Sequence, residues 1–269
     1  VLLEKFNSAE SMYSEALEMD IRILGEMHPD VATDYNNLGG LLHNTGHLDE
    51  ADSLYRKALD IYNRLEGDNS PNVAMCLSNI ASIYKEKGDF FSAEPMFRRA
   101  LLIYRRLYGD VDCDVAYALH NLATFLVEKG DRMQAEALFK EAVDIYRQLP
   151  AEYELDLAIT LNGLASLLQD REDYHLSREY YLESLEICRK LLGEEHGYVA
   201  EIISNLADLH HDLGDYERAD SLFTKALDIQ KELHGGYHKN VAIMMLNLAR
   251  NTRDKGNYEG AIPEYMESL

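Results

Sequence analysis

Apolar residues along this chain recur at helical spacing, and the helical pattern itself recurs every 42 residues. After Asp30, the positions Val31, Tyr35, Leu38 and Leu42 lie 4, 3 and 4 apart, which is one face of an α-helix. The pairs Val31-Ala32, Val73-Ala74, Val115-Ala116, Leu157-Ala158, Val199-Ala200 and Val241-Ala242 mark six copies with no insertion between them. A fixed period of this length predicts helical hairpins stacked one on the next, because a single hairpin cannot bury both of its apolar faces.

Each copy divides into two helices. The residue before each Val-Ala pair (Asp30, Asn72, Asp114, Asp156, Tyr198, Asn240) can cap free backbone N–H groups in five of six copies, so the first helix, A, is expected to begin there. It ends at a glycine column, Gly46, Gly88, Gly130, Gly214 and Gly256. His47, Asp89, Asp131, Asp173, Asp215 and Asn257 follow at once and predict the start of helix B, whose stripe Leu48, Ala51, Leu54, Tyr55, Ala58, Ile61 and Leu65 ends near Gly67. Small residues at 39, 81, 123, 165, 207 and 249, and again at 51, 93, 135, 177, 219 and 261, predict close crossings in which small faces large.

The triplets NLG at 37–39, NIA at 79–81 and NLA at 121, 205 and 247, together with Gly46, Ala51, Tyr55, Ala58 and Leu59, resemble the tetratricopeptide repeat (TPR). The 42-residue period and the string HPDVATDYNNLG at 28–39 resemble the long-helix class of kinesin light chains. The resemblance spans essentially the whole chain. It implies an all-α fold, a right-handed α-solenoid of antiparallel helix pairs. On this reading residues 1–269 form one array: helix B of a partial repeat at 1–25, repeats near 26–67, 68–109, 110–151, 152–193 and 194–235, and a partial repeat at 236–269. The two cut ends predict exposed apolar surface and end-to-end self-association. Two departures stand out. The block 151–192 has Gly163 for Asn, Glu172 for the helix-ending glycine, Ser177 for Ala and PAEYEL for a glycine turn, making it the expected soft joint; Pro95 and Pro263 share a column in helix B and are expected to kink it.

Charge narrows the partners. With 26 basic and 48 acidic residues the net charge is -22, which repels nucleic acid and anionic lipid and favours a basic peptide. Cys76, Cys113 and Cys188 are too scattered for a disulfide framework or a zinc motif, and no signal peptide or membrane span is visible, so a cytoplasmic protein is expected. No cofactor or metal motif and no catalytic constellation appears; the chain does not read as an enzyme. In the cluster Asp208, His210, His211 and Asp212, the two histidines point about 100° apart on a helix and cannot chelate one ion together. His210 is expected in the core and His211 on the surface.

The candidate site is the face of helix A turned away from Val31, Tyr35, Leu38 and Leu42. Counting Val31 as position zero, position six reads Asn37, Asn79, Asn121, Gly163, Asn205 and Asn247, and position five includes Asn36, Ser78, His120 and Asn162. Ser82 and Thr124 stand at position nine; Lys85, Arg250 and Arg253 are the obvious basic residues of the face. An asparagine amide both donates and accepts, so a column of them can match the N–H and C=O groups of an extended peptide. It can equally bond a neighbouring helix and set repeat geometry, and both roles remain open. Peptide-facing asparagines are also what the TPR resemblance implies. Carboxylates follow at position thirteen (Glu86, Glu128, Asp170, Asp212, Asp254), either as an acidic wall for a basic peptide or offset locally by Lys87, Lys129, Arg171 and Lys255. The expected function is an adaptor holding an extended peptide in a groove; the alternative is a regulatory array within a larger enzyme or NTPase.

Overall fold

The structure, a computed structural model, describes residues 2–236, 238–257 and 259, with side chains described from Ala9 onward. Among the described residues there are twelve α-helices and no strand: α1 (Leu2–Leu24), α2 (Pro29–Asn44), α3 (Leu48–Glu66), α4 (Pro71–Glu86), α5 (Phe90–Tyr108), α6 (Cys113–Lys129), α7 (Arg132–Tyr146), α8 (Glu154–Gln169), α9 (Tyr174–Leu192), α10 (Gly197–Asp212), α11 (Tyr216–His234) and α12 (Lys239–Asp254). They pack in consecutive pairs, as in a TPR solenoid. The chain divides into two compact units, Val1–Leu138 and Phe139–Leu269. In the first, α2, α4 and α6 lie side by side; in the second, α8, α10 and α12 do.

Five of the six A helices start two residues earlier than the column before each Val-Ala pair suggests, and α8, with Tyr153 as its N-cap, three earlier. The N-caps of those five are His28, Ser70, Asp112, His196 and His238, all in extended backbone. The Nδ1 atoms of His28, His196 and His238 each accept the N–H two residues on, at 3.2 Å, a capping role expected of Asp30 and Asn240 in two of these copies. These histidines, which recur with the repeat, are therefore caps. The helix-ending glycines do take left-handed backbone, from φ 74° at Gly214 to 92° at Gly130 and Gly256. Helix B begins as expected where Asp89, Asp131 and Asp215 accept the N–H three residues on.

Glu172 is the one non-glycine residue at positive φ (63°) among the described residues. A left-handed L-residue costs about 1–2 kcal/mol, of which glycine's extra unfolded-state entropy returns part. Glu172→Gly is therefore expected to raise stability by about 0.5–1 kcal/mol, read as a higher urea midpoint; a lower midpoint would contradict the strain. In place of a glycine turn, PAEYEL forms a 3-10 turn at Ala151–Tyr153. Helix α5 runs on through Pro95. Pro263, Ala261 and the last helix B lie outside the described residues. At the other end, α1 leaves Met12, Met19 and Ile23 exposed.

The pairing of small and large is borne out. Helix B carries a buried aromatic column, Tyr55, Phe97, Phe139, Tyr181 and Phe223, each at most 3% exposed. A Cβ added to Gly39 would stand 3.0 Å from the Tyr55 ring, and Ala207, Ala219 and Phe223 form one cluster. At Gly163, where the asparagine column breaks, a Cβ would stand 3.1 Å from the Phe139 ring. Cys76 and Cys188 are buried thiols, and burial pushes Cys76 up to about 12.

Candidate functional site

The asparagine column is split between two roles. Asn79 Nδ2 donates to Asn36 Oδ1 at 2.9 Å, and Asn205 Nδ2 donates to Asn162 Oδ1 at 3.0 Å. Both bonds tie position six of one A helix to position five of the preceding one. Asn36 and Asn162 also reach onward, to Met75 Sδ (4.0 Å) and Glu201 Oε1 (3.4 Å). Where position five is a shorter serine, at Ser78 and Ser204, the tie is missing. Asn37, Asn121 and Asn247 make no side-chain hydrogen bond among the described residues, and each retains access to solvent.

The expected basic groove residues are neutralised. Lys85 bonds Glu128 at 2.9 Å, Arg250 bonds Asp208, and Arg253 bonds Asp254 at 2.7 Å. A regular ladder lies behind this: position twelve of one A helix meets the position-thirteen carboxylate of the next. His43 meets Glu86 at 2.7 Å, Lys85 meets Glu128, Gln169 meets Asp212 at 2.6 Å, and His211 meets Asp254 at 3.1 Å. The local offset by the following lysines is therefore corrected. Lys87, Lys129 and Lys255 turn to Asp49, Glu94 and Glu217 at the start of the preceding helix B. The carboxylates are not an open acidic wall; in water such exposed pairs contribute little individually, but they satisfy the face.

The hydroxyls are also engaged. Ser82 Oγ donates to Ser78 O and Thr124 Oγ1 to His120 O, each within its own helix. Ser78 and Ser204 are buried, at 7% and 3% exposure. His120 is half-buried, and burial together with the charge of Lys85 lowers its ring to about 4. His210 is in the core as expected, but His211 is largely covered and bonded to Asp254 rather than free on the surface. No group of three metal-ligating side chains forms among the described residues.

Three clefts open on the A-helix faces. One of about 390 Å³ lies over Asn36, Asn37 and Gly40. A second, about 460 Å³, is walled by Met75, Tyr104, Asp114 and Tyr117 between α4 and α6. A third, about 470 Å³, is walled by Tyr198, Glu201, Gln230, Ile243 and Met244 between α10 and α12 and holds Asn205 and Asn247. The second and third sit at equivalent places in the repeat, 126 residues apart: Met75 corresponds to Glu201, Tyr104 to Gln230 and Tyr117 to Ile243. Sequence reasoning missed these wall residues because it followed the asparagine column and left position two unread. That column, Thr33, Met75, Tyr117, Ile159, Glu201 and Ile243, holds a single charge.

The tetratricopeptide repeat profile matches in overlapping stretches, 1–64, 35–106, 72–148, 114–174, 156–232 and 198–269, which cover the whole chain. The chain belongs to the tetratricopeptide repeat family. Solved TPR structures share its fold. BtubC (BKLC) of P. vanneervenii is similar at a TM-score of 0.70 and 23% identity, over 82% of this chain and 89% of that one. The kinesin-light-chain-type protein of nearly identical TPR-like repeats from Podosopora anserina is similar at 0.62 and 19% identity, over 77% and 98%. A signal transduction ATPase with numerous domains and a tetratricopeptide repeat sensor, from Pyrococcus horikoshii, is similar at 0.72 and 16% identity, over 96% of this chain and 37% of that one. No curated protein matches the sequence. TPR arrays are in general protein-interaction modules, and no helix among the described residues of this one is long and apolar enough to cross a membrane.

Proposed function

We propose that this TPR array is an adaptor that holds an extended peptide along its A-helix faces. The observation that carries this reading is the division of the asparagines: Asn37, Asn121 and Asn247 have unspent amides on a face that opens into clefts, while Asn79 and Asn205 tie neighbouring helices. Within one unit these neutral hydrogen bonds, two in the first and one in the second, supply about 1–2 kcal/mol, against about 8 for micromolar affinity. The remainder falls to side chains entering the clefts, where Met75, Tyr104, Tyr117, Ile243 and Met244 offer apolar surface.

The test separates the two roles. Against a peptide selected by the native chain from a random display library, Asn121→Ala with Asn247→Ala is expected to weaken binding about tenfold per residue, with the melting temperature unchanged. Asn79→Ala with Asn205→Ala is expected to lower stability by about 1–2 kcal/mol. Unaltered peptide affinity in the first pair would sink the reading. A second reading, a regulatory array within a larger NTPase, is favoured by the likeness to the sensor-bearing ATPase from P. horikoshii. A phosphate loop elsewhere in the same polypeptide would discriminate it.

A further inference from the structure

We infer that the cleft between α10 and α12 is a subsite for a cationic side chain, an arginine or lysine of the bound peptide, with Glu201 and Gln230 as its acceptors. The inference rests on the groove reading above and deepens it.

Glu201 differs from the ladder carboxylates of its face. Glu86, Glu128, Asp212 and Asp254 each have a partner in a neighbouring repeat, and Asp208 is held by Arg250. Glu201 has only the neutral Asn162 amide, at 3.4 Å, and no cation within ion-pair distance among the described residues. Glu201 stands exposed at the mouth of the cleft, where partial burial raises its carboxyl above the ordinary range against the pull of that amide. A cation placed beside it would reverse this.

The second acceptor is independent of the first. Gln230 is 2% exposed, lines the same cleft, and its buried Oε1 has no hydrogen-bond partner. An orphaned buried acceptor carries an uncompensated desolvation cost, which a donor reaching into the cleft would recover. Its column on helix B otherwise reads Asp20, Tyr62, Tyr104, Tyr146 and Cys188, so a buried amide here is peculiar to this repeat. A carboxylate with one long neutral donor and a carbonyl oxygen with none suit a guanidinium or ammonium group with several N–H bonds to give. The apolar stem of such a side chain would lie on Ile243 and Met244. The equivalent cleft between α4 and α6 puts Met75 and Tyr104 at these two places and has no such pair of acceptors.

The chain itself supplies the control substitution, since Met75 stands where Glu201 does. The methyl and side-chain amide signals of Ile243, Met244 and Asn205 are followed by NMR while acetyl-Gly-Arg-Gly-amide is added, with acetyl-Gly-norleucine-Gly-amide as the uncharged counterpart. Saturable shifts are expected with the arginine peptide, at least tenfold weaker with norleucine and at least tenfold weaker for Glu201→Met. Gln230→Met is expected to weaken arginine binding several-fold, and raising the salt to weaken it further. Equal binding of both peptides by the native chain and Glu201→Met would overturn the cationic subsite and leave the groove reading standing. No shift with either peptide would overturn the subsite as well, while the library selection decides the groove independently.

Discussion

Tyr181→Ala is expected to destabilise the chain by about 3–5 kcal/mol, the cost of removing a fully buried aromatic side chain from a core that relaxes only in part. Tyr181 is 1% exposed and packs in one cluster with Ala165, Leu185, Val199 and Ala200, at the junction of two repeats. Its hydroxyl donates to Gln169 Oε1 at 3.1 Å, and Gln169 donates in turn to Asp212 at 2.6 Å, so the same ring supports one rung of the ladder on the A-helix face. Tyr181→Phe keeps the ring and is expected to cost about 1 kcal/mol, the worth of the lost hydrogen bond. Phe91→Ala, at a side chain 92% exposed, is expected to fall within about 0.5 kcal/mol of the native chain. Urea unfolding measures all three. A cost below about 1 kcal/mol for Tyr181→Ala would mean that the aromatic column does not hold the repeats together.

The second large effect is on pH dependence. His120 has its ring lowered from 6.5 to about 4, first by burial and then by Lys85. Between those values the unfolded chain binds a proton that the folded chain refuses, so stability falls as pH drops through the window and is intact above it. The whole window corresponds to at most about 3 kcal/mol. Other groups run both ways: Glu94 and Asp254 are held low by their basic partners and lose their contribution in acid, whereas burial raises Asp114 and Asp156, whose folded forms take up protons earlier than the unfolded chain. The difference between the native chain and His120→Asn isolates the histidine, since asparagine already occupies this position at Asn36 and Asn162. The native chain should lose about 2–3 kcal/mol relative to the variant between pH 7 and pH 4.5. A difference independent of pH would refute a neutral, half-buried His120.

Much of the fold could be read from local chemistry. The period, the left-handed glycines and the facing of Gly39 by Tyr55 all follow from residue size and spacing. The A-helix starts at 28 and 238 were displaced by two residues because a histidine ring does the capping, and propensity favours the aspartate or asparagine that follows; at 196 the histidine caps a copy whose column holds Tyr198. Groove chemistry was harder. The asparagines were visible as a column, but which of them are spent depends on whether the partner 43 residues earlier is an asparagine or a serine, a relation across helices. The ladder from His43 to Glu86 and from Lys85 to Glu128 hides for the same reason, and it turned apparent free charge into satisfied pairs. Glu201 and Gln230 were legible in principle as the odd members of their columns; their common cleft was not, because it joins helices α10, α11 and α12.

The most direct test of the account is a crystal structure of the chain with a peptide selected from the display library. The account predicts an extended peptide lying on the A-helix faces, its backbone within hydrogen-bond distance of the free amides of Asn121 or Asn247 and a side chain in a cleft beside them. A peptide seated on the outer faces of the B helices, with those amides still unbonded, would contradict it.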